Sequence, residues 1–252
     1  MSIAVAASFY GLLGLLVGSF LNVVAYRVPR GESVVSPRSR CPSCDVPIAP
    51  RDNVPVLSWL VLRGRCRHCG VAISARYPLI EALTGLAFTA VVAVVGVEGE
   101  LALYLPFTAL LIAVAAIDLE YRIVPNKLLA PAAVWAVVAW VVVDLDFLPE
   151  ALAAGAGAFA FLLIAALAYP AGMGMGDVKL AGVLGLYLGL SVVPALLVAF
   201  LAGAGVGIAM IVRHGAEARK RGVPFAPFMA LGGFVGMLAG SELVALYSDR
   251  FL

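Results

Sequence analysis

The sequence predicts an all-α polytopic membrane protein of about eight transmembrane helices, with a small zinc-stabilised cytoplasmic domain after the first helix. Three observations carry this. Of 252 residues, 63% are hydrophobic and 13% charged, against roughly 45–50% and about 25% in a soluble domain. With a mean hydropathy of +1.05, too little polar surface remains to face water. The apolar residues form continuous runs, whereas the strands of a transmembrane barrel alternate over about ten residues. All four cysteines fall in one arginine-rich stretch between the first and second runs. The same arithmetic excludes a disordered chain, a collagen-like chain and a secreted disulfide scaffold.

A helix needs about 20 apolar residues to cross a hydrocarbon core of about 30 Å. Apolar runs stand at about 4–25, 79–97, 101–117, 128–143, 151–170, 178–190, 192–212 and 226–246. No Lys or Arg precedes the first run and the basic residues follow it, the reverse of a cleavable signal peptide. Orientation follows from the cations, which remain on the cytoplasmic side. The stretch 26–78 holds nine arginines and is expected inside. Alternating from there puts sixteen of the seventeen Lys and Arg residues inside, leaving Arg250 outside. The doubtful region 178–212 fits this pattern only as two helices turning near Ser191 and Pro194. Both termini are then outside. The predicted organisation is a first transmembrane helix at 1–25, a four-cysteine cytoplasmic domain at 26–78 and a transmembrane domain at 79–252.

The cysteines read Cys41-Pro-Ser-Cys44 and Cys66-Arg-His-Cys69. Two C-x2-C knuckles can present four thiolates tetrahedrally, the arrangement of structural zinc. Arg40, Arg65 and Arg67 would stabilise those thiolates. Two disulfides are the competing reading, but the expected cytoplasmic side is reducing. A loop of about 50 residues holds little core, and a metal supplies folding energy that burial cannot. Four protein ligands leave no open position for water, so this metal is expected to be structural.

Two carboxylates stand out by position. Asp118 closes an apolar run, and Asp177 follows Gly174-Met-Gly176. Both are expected near the cytoplasmic boundary on different helices. Ionisable groups at membrane depth are costly and by default suggest function. Two adjacent carboxylates share a proton, so that one can activate water while the other donates to a peptide carbonyl. Simpler readings stay open: Asp177 as a helix N-cap, and Asp118 as a partner of Arg122 one turn later.

Gly174-Met175-Gly176-Asp177 matches a GxGD motif and continues as Val178-Lys179. Ahead of it, in order, stand Gly18-Ser-Phe-Leu-Asn-Val-Val24, Arg27 and Pro29. The two CxxC pairs come next, with Pro55-Val-Leu-Ser-Trp-Leu60 and Arg63-Gly-Arg-Cys66 between and into them. Arg76-Tyr-Pro-Leu-Ile-Glu81 and Asp118-Leu-Glu-Tyr-Arg-Ile-Val-Pro-Asn126 complete the set. Over residues 10–190 this order resembles the type IV prepilin peptidases, the bifunctional leader peptidase and N-methyltransferase enzymes of type IV pilus and type II secretion systems. The resemblance implies that Asp118 and Asp177 are the catalytic aspartates of a multi-pass inner-membrane enzyme. It implies cleavage of prepilins and pseudopilins after the glycine that ends a short basic leader. It also implies methylation of the new N-terminal residue with S-adenosylmethionine, for which the sequence shows no dinucleotide-type glycine loop.

A prepilin crosses the membrane as one apolar helix with its basic leader inside, so its scissile bond lies at the boundary where both aspartates are expected. Glu81 and Glu120 could attract the leader's lysines there. Membrane lipids are expected partners and nucleic acid is not. The alternatives are another GxGD peptidase of preflagellin type without methyl transfer, and an ion-coupled transporter. A transporter would typically show inverted repeats and a midplane site.

Overall fold

The computed structural model describes residues 2–169, 173–215 and 222–251. Among them the regular structure is helical, with only two isolated β-bridges, Arg40 to Pro47 and Arg65 to Ala72. Among the described residues, seven helical stretches are long and apolar enough to cross a membrane. The chain forms two compact units, Met1–Leu101 and Ala102–Leu252.

The first unit pairs α1 (Ile3–Arg27) with α3 (Arg76–Val95), and a lobe lies between them in sequence that contains the short α2 (Leu57–Val61). The two long helices run antiparallel. The pairing descends from Gly11 beside Thr89 to Gly18 beside Glu81 and Asn22 beside Tyr77. Small residues drive this approach, because lipid is as apolar as leucine and burial alone cannot pair helices in a membrane. A Cβ on Gly18 would stand 2.7 Å from the Glu81 Cα. Buried Asn22 donates from Nδ2 to the Gly18 and Tyr77 carbonyls, at 3.3 and 3.1 Å. The Gly18–Val24 motif is therefore a packing element of α1 on α3.

The second unit holds α4 (Leu101–Tyr121), α5 (Asn126–Val143), α6 (Leu148–Ala168), α7 (Met175–Leu188), α8 (Val192–His214) and α9 (Ala226–Phe251). The centre is α7. Its Tyr187 stacks on Phe107 of α4, with ring centroids 4.3 Å apart, and donates its hydroxyl to the Ala132 carbonyl of α5 at 3.0 Å. Trp140 Nε1 donates to the Leu186 carbonyl at 2.9 Å. On the α6 side, Gly185 lies against Ala154 and Gly155.

The apolar run Met175–Arg213 is long enough to be read as one 39-residue span. The structure breaks it with a 3-10 turn at Gly189–Ser191, close to the expected turn, while Pro194 lies in the first turn of α8. Gly189 has φ +54, a left-handed conformation that glycine adopts without cost. Glu150 Oε1 accepts the Leu190 N–H there at 2.9 Å. The 14 residues of α7 give a length of about 21 Å, short of a full crossing.

Candidate functional site

The pairings of the second unit bring the C-terminus of α4 together with the N-termini of α5, α7 and α9. At that end lies a cavity of about 300 Å³, lined by Asp118, Arg122, Ile123, Val124, Asn126, Gly174, Gly176, Asp177 and Lys179. Both aspartates singled out from the sequence line it. They stand 59 positions apart in the sequence, on α4 and α7.

Local chemistry holds each wall. Asp118 is 5% exposed, and its Oδ2 accepts the Ala226 N–H at 3.1 Å. That donor opens α9 and has no partner in its own helix. Asp118 is thus held across the site by a helix end, while Arg122 acts on it only through space. The helix α4 closes with Arg122 at φ +55, where its N–H still donates to the Asp118 carbonyl at 3.0 Å. A non-glycine residue in this region is uncommon and costs energy. The turn carries Val124 over Gly176, where a Cβ would stand 2.8 Å from the Val124 Cβ. Gly174, and not Asp177, is the N-cap of α7, which removes the capping explanation for Asp177. Lys179 Nζ donates to Asn126 Oδ1 at 3.1 Å across the rim.

Pro224-Phe225-Ala226-Pro227 stands at the start of α9. Its bond to Asp118 spans 108 positions, and no local signal marks it. Phe225 packs beside Phe200 and Phe228. Glu81 also differs from expectation. It is buried, and its Oε2 accepts the Val56 N–H at 2.7 Å, so its carboxylate is committed within the first unit. Val56 itself has φ +60.

In that first unit the sulfurs of Cys41, Cys44, Cys66 and Cys69 all lie within 4.8 Å of one another, with Cys41 and Cys69 3.8 Å apart. Zinc–sulfur bonds of about 2.3 Å in a tetrahedron put neighbouring sulfurs about 3.8 Å apart, so the set fits that metal. The knuckles repeat each other. Cys41 N–H donates to Val46 O and Asp45 N–H to Cys41 O; Cys66 N–H donates to Val71 O and Gly70 N–H to Cys66 O. Asp45 and Gly70, which follow the second cysteine of each knuckle, both have positive φ. A signal for this was present, since Arg40-Cys-Pro-Ser-Cys-Asp-Val46 and Arg65-Cys-Arg-His-Cys-Gly-Val71 share R-C-x-x-C-x-V.

Backbone N–H groups of Ser43 and Cys44 lower the Cys41 thiol to about 6. Those of Cys69 and His68 lower Cys66. Cys44 is pushed up to about 11: the Val46 N–H favours its thiolate, but burial and hydrogen bonds with the other three cysteines outweigh it. His68 is exposed and stands outside the ligand cluster.

The fold and site define a polytopic helical membrane protein with a paired-carboxylate cavity in one unit and a four-cysteine lobe in the other. Residues 105–208 match the type IV leader peptidase family, and residues 12–95 match the bacterial peptidase A24 N-terminal domain. The chain belongs to the type IV leader peptidase family. It is similar to proteins named prepilin leader peptidase/N-methyltransferase. The Bacillus subtilis (strain 168) protein is 34% identical over 237 residues, covering 94% of this chain and 95% of the relative. The Aeromonas hydrophila protein is 35% identical over 277 residues, with 96% and 93% covered. The Myxococcus xanthus (strain DK1622) protein is 41% identical over 215 residues, which are 83% of this chain but 64% of that longer relative. No solved structure matches significantly.

Proposed function

We propose that this chain is a multi-pass inner-membrane aspartic endopeptidase that removes the basic leader from type IV prepilins and pseudopilins after a Gly residue. The observation that carries this reading is the shared cavity of Asp118 and Asp177. One carboxylate takes a proton from water as its oxygen attacks the scissile carbonyl carbon. The other carboxyl donates its proton to the carbonyl oxygen. Collapse of the tetrahedral intermediate breaks the C–N bond: the departing amine takes the proton that the first carboxylate removed from water, and a hydroxyl of the intermediate returns a proton to the second carboxylate. Family membership supports the assignment, as does the presence of Arg122 and Lys179 beside the two aspartates in the cavity lining.

Cys41, Cys44, Cys66 and Cys69 are proposed to hold a structural zinc in a domain at 26–78. Between the first helix at 1–25 and a peptidase domain at 79–252, that lobe would face the cytoplasm together with the active site. The metal would supply folding energy and no open coordination position. The names of the relatives support a second activity, methylation of the new N-terminal residue with S-adenosylmethionine as donor.

The test uses the detergent-solubilised full chain and a prepilin, followed by mass spectrometry. Wild type should release the leader, and Asp118→Asn and Asp177→Asn should not. With S-adenosylmethionine present, the wild-type product should gain the mass of one methyl group. Cleavage that persists in either variant returns that aspartate to a packing role.

A further inference from the structure

The four-cysteine lobe carries an apolar face that its own fold leaves open. In α2, Leu57 is 61% exposed, Leu60 57% and Val61 75%. Exposed leucines along α1 belong to a candidate membrane span, but α2 lies outside the spans, where a clustered apolar patch marks an interaction surface. Arginines flank this patch in the sequence. Arg51 precedes it, Arg63 and Arg65 follow it, and among the described residues no carboxylate lies within salt-bridge distance of these three. Arg51, Leu57 and Val61 share one recess of about 180 Å³, which also contains Asp52, already paired with Arg67 at 2.7 Å.

The depth of α2 follows from a bond that involves no lipid. Glu81 lies five positions into α3, about 7.5 Å along its axis, and its side chain points back toward the helix start. Its Oε2 holds the Val56 N–H at 2.7 Å, so α2 begins abreast of the first turns of α3. At this level Asn22 of α1 binds the Tyr77 carbonyl. Tyr26 and Tyr77 are both exposed there, as interfacial aromatic residues are. The start of α2 is therefore tied to the membrane–water boundary of the α1–α3 pair.

We propose that α2 is an interfacial anchor seated in the anionic leaflet, with Leu57, Leu60 and Val61 among the upper acyl chains and Arg51, Arg63 and Arg65 on lipid phosphates. Apolar side chains flanked by cations are the composition that binds such a surface. Val56, at φ +60 and fastened by Glu81, is the joint that sets the depth. The anchor would fix the height of the zinc lobe over the bilayer independently of any substrate.

An environment-sensitive fluorescent amino acid at Val61 of the full-length protein tests this, with a second probe at Leu60 and a control at Val71. The protein is placed in nanodiscs of phosphatidylcholine alone or with phosphatidylglycerol, with and without brominated acyl chains. Probes at 60 and 61 should shift to the blue and be quenched by bromine, more so with phosphatidylglycerol, while the probe at 71 is unaffected. Arg63→Gln with Arg65→Gln should abolish the dependence on phosphatidylglycerol. A probe at 61 that stays in water in both bilayers, or is quenched equally in both, overturns the proposal. So does a probe buried only when a prepilin is added, which would assign the face to the substrate.

Discussion

Asp118 Oδ2 accepts the backbone N–H of Ala226 at 3.1 Å, so an acidic residue at the end of α4 completes the first turn of α9. An anion at a helix C-terminus opposes the dipole of its own helix, which makes Asp118 look misplaced in the sequence. The partner is the N-terminus of another helix. One side chain thus lines the cavity and joins two helices that are distant along the chain.

This double role separates two substitutions. Asp118→Asn keeps an oxygen acceptor for Ala226 but cannot ionise. Cleavage should fall by about 10²–10⁴-fold with little change in thermal stability. Asp118→Ala should lose the same activity and also about 1–3 kcal/mol of stability, because a buried N–H is left without a partner. Prepilin cleavage and unfolding in detergent, measured on both variants, distinguish the effects.

The two glycines before Asp177 should differ. At Gly176 a Cβ meets Val124 at 2.8 Å, whereas at Gly174 nothing is closer than Asp177 Oδ2 at 3.5 Å. Gly176→Ala should push the 122–125 turn away and cost about 1–3 kcal/mol. Gly174→Ala meets no close contact and should cost less, about 0.5–1 kcal/mol, for the loss of a favourable N-cap residue. Thermal unfolding of the two variants side by side checks the difference.

Glu81 should matter to the lobe. Glu81→Ala leaves the Val56 N–H without the acceptor that now holds it at 2.7 Å, so residues 54–62 should exchange amide hydrogens faster and be cut sooner by protease. Glu81→Gln retains an acceptor and should stay near wild type. Equal exchange in wild type and Glu81→Ala would contradict this role.

Metal content provides a further check. The purified protein should carry one zinc per chain by elemental analysis, and Cys66→Ser should reduce it. Strong chelation should free four thiols for alkylation and make the lobe, rather than the aspartate cavity, sensitive to protease. That follows from a metal contributing folding energy to a segment with little core.

Much of the architecture was legible in the sequence because the bilayer imposes it. A run such as 4–25 announces a span by length, and the structure has α1 there at Ile3–Arg27. The turn in 178–212 came from charge alternation, and the structure sets it at Gly189–Ser191. Asp118 and Asp177 stood out because carboxylates are rare among such runs. The Glu81–Val56 bond, the Asp118–Ala226 bond and the packing of Val124 on Gly176 were not legible, since nothing near either partner signals the other.

The sequence alone thus marked most of the long apolar helices, the four clustered cysteines and the two aspartates as candidates, each by composition or spacing within a local stretch. The tertiary structure decided which helices meet, that α7 is the centre, that Asp118 and Asp177 line one cavity and that Ala226 holds one of them. The physical reason is that lipid and protein interior are equally apolar. A membrane helix therefore carries no polar stripe to show which face turns inward, and close glycine contacts and a few hydrogen bonds between distant residues decide it.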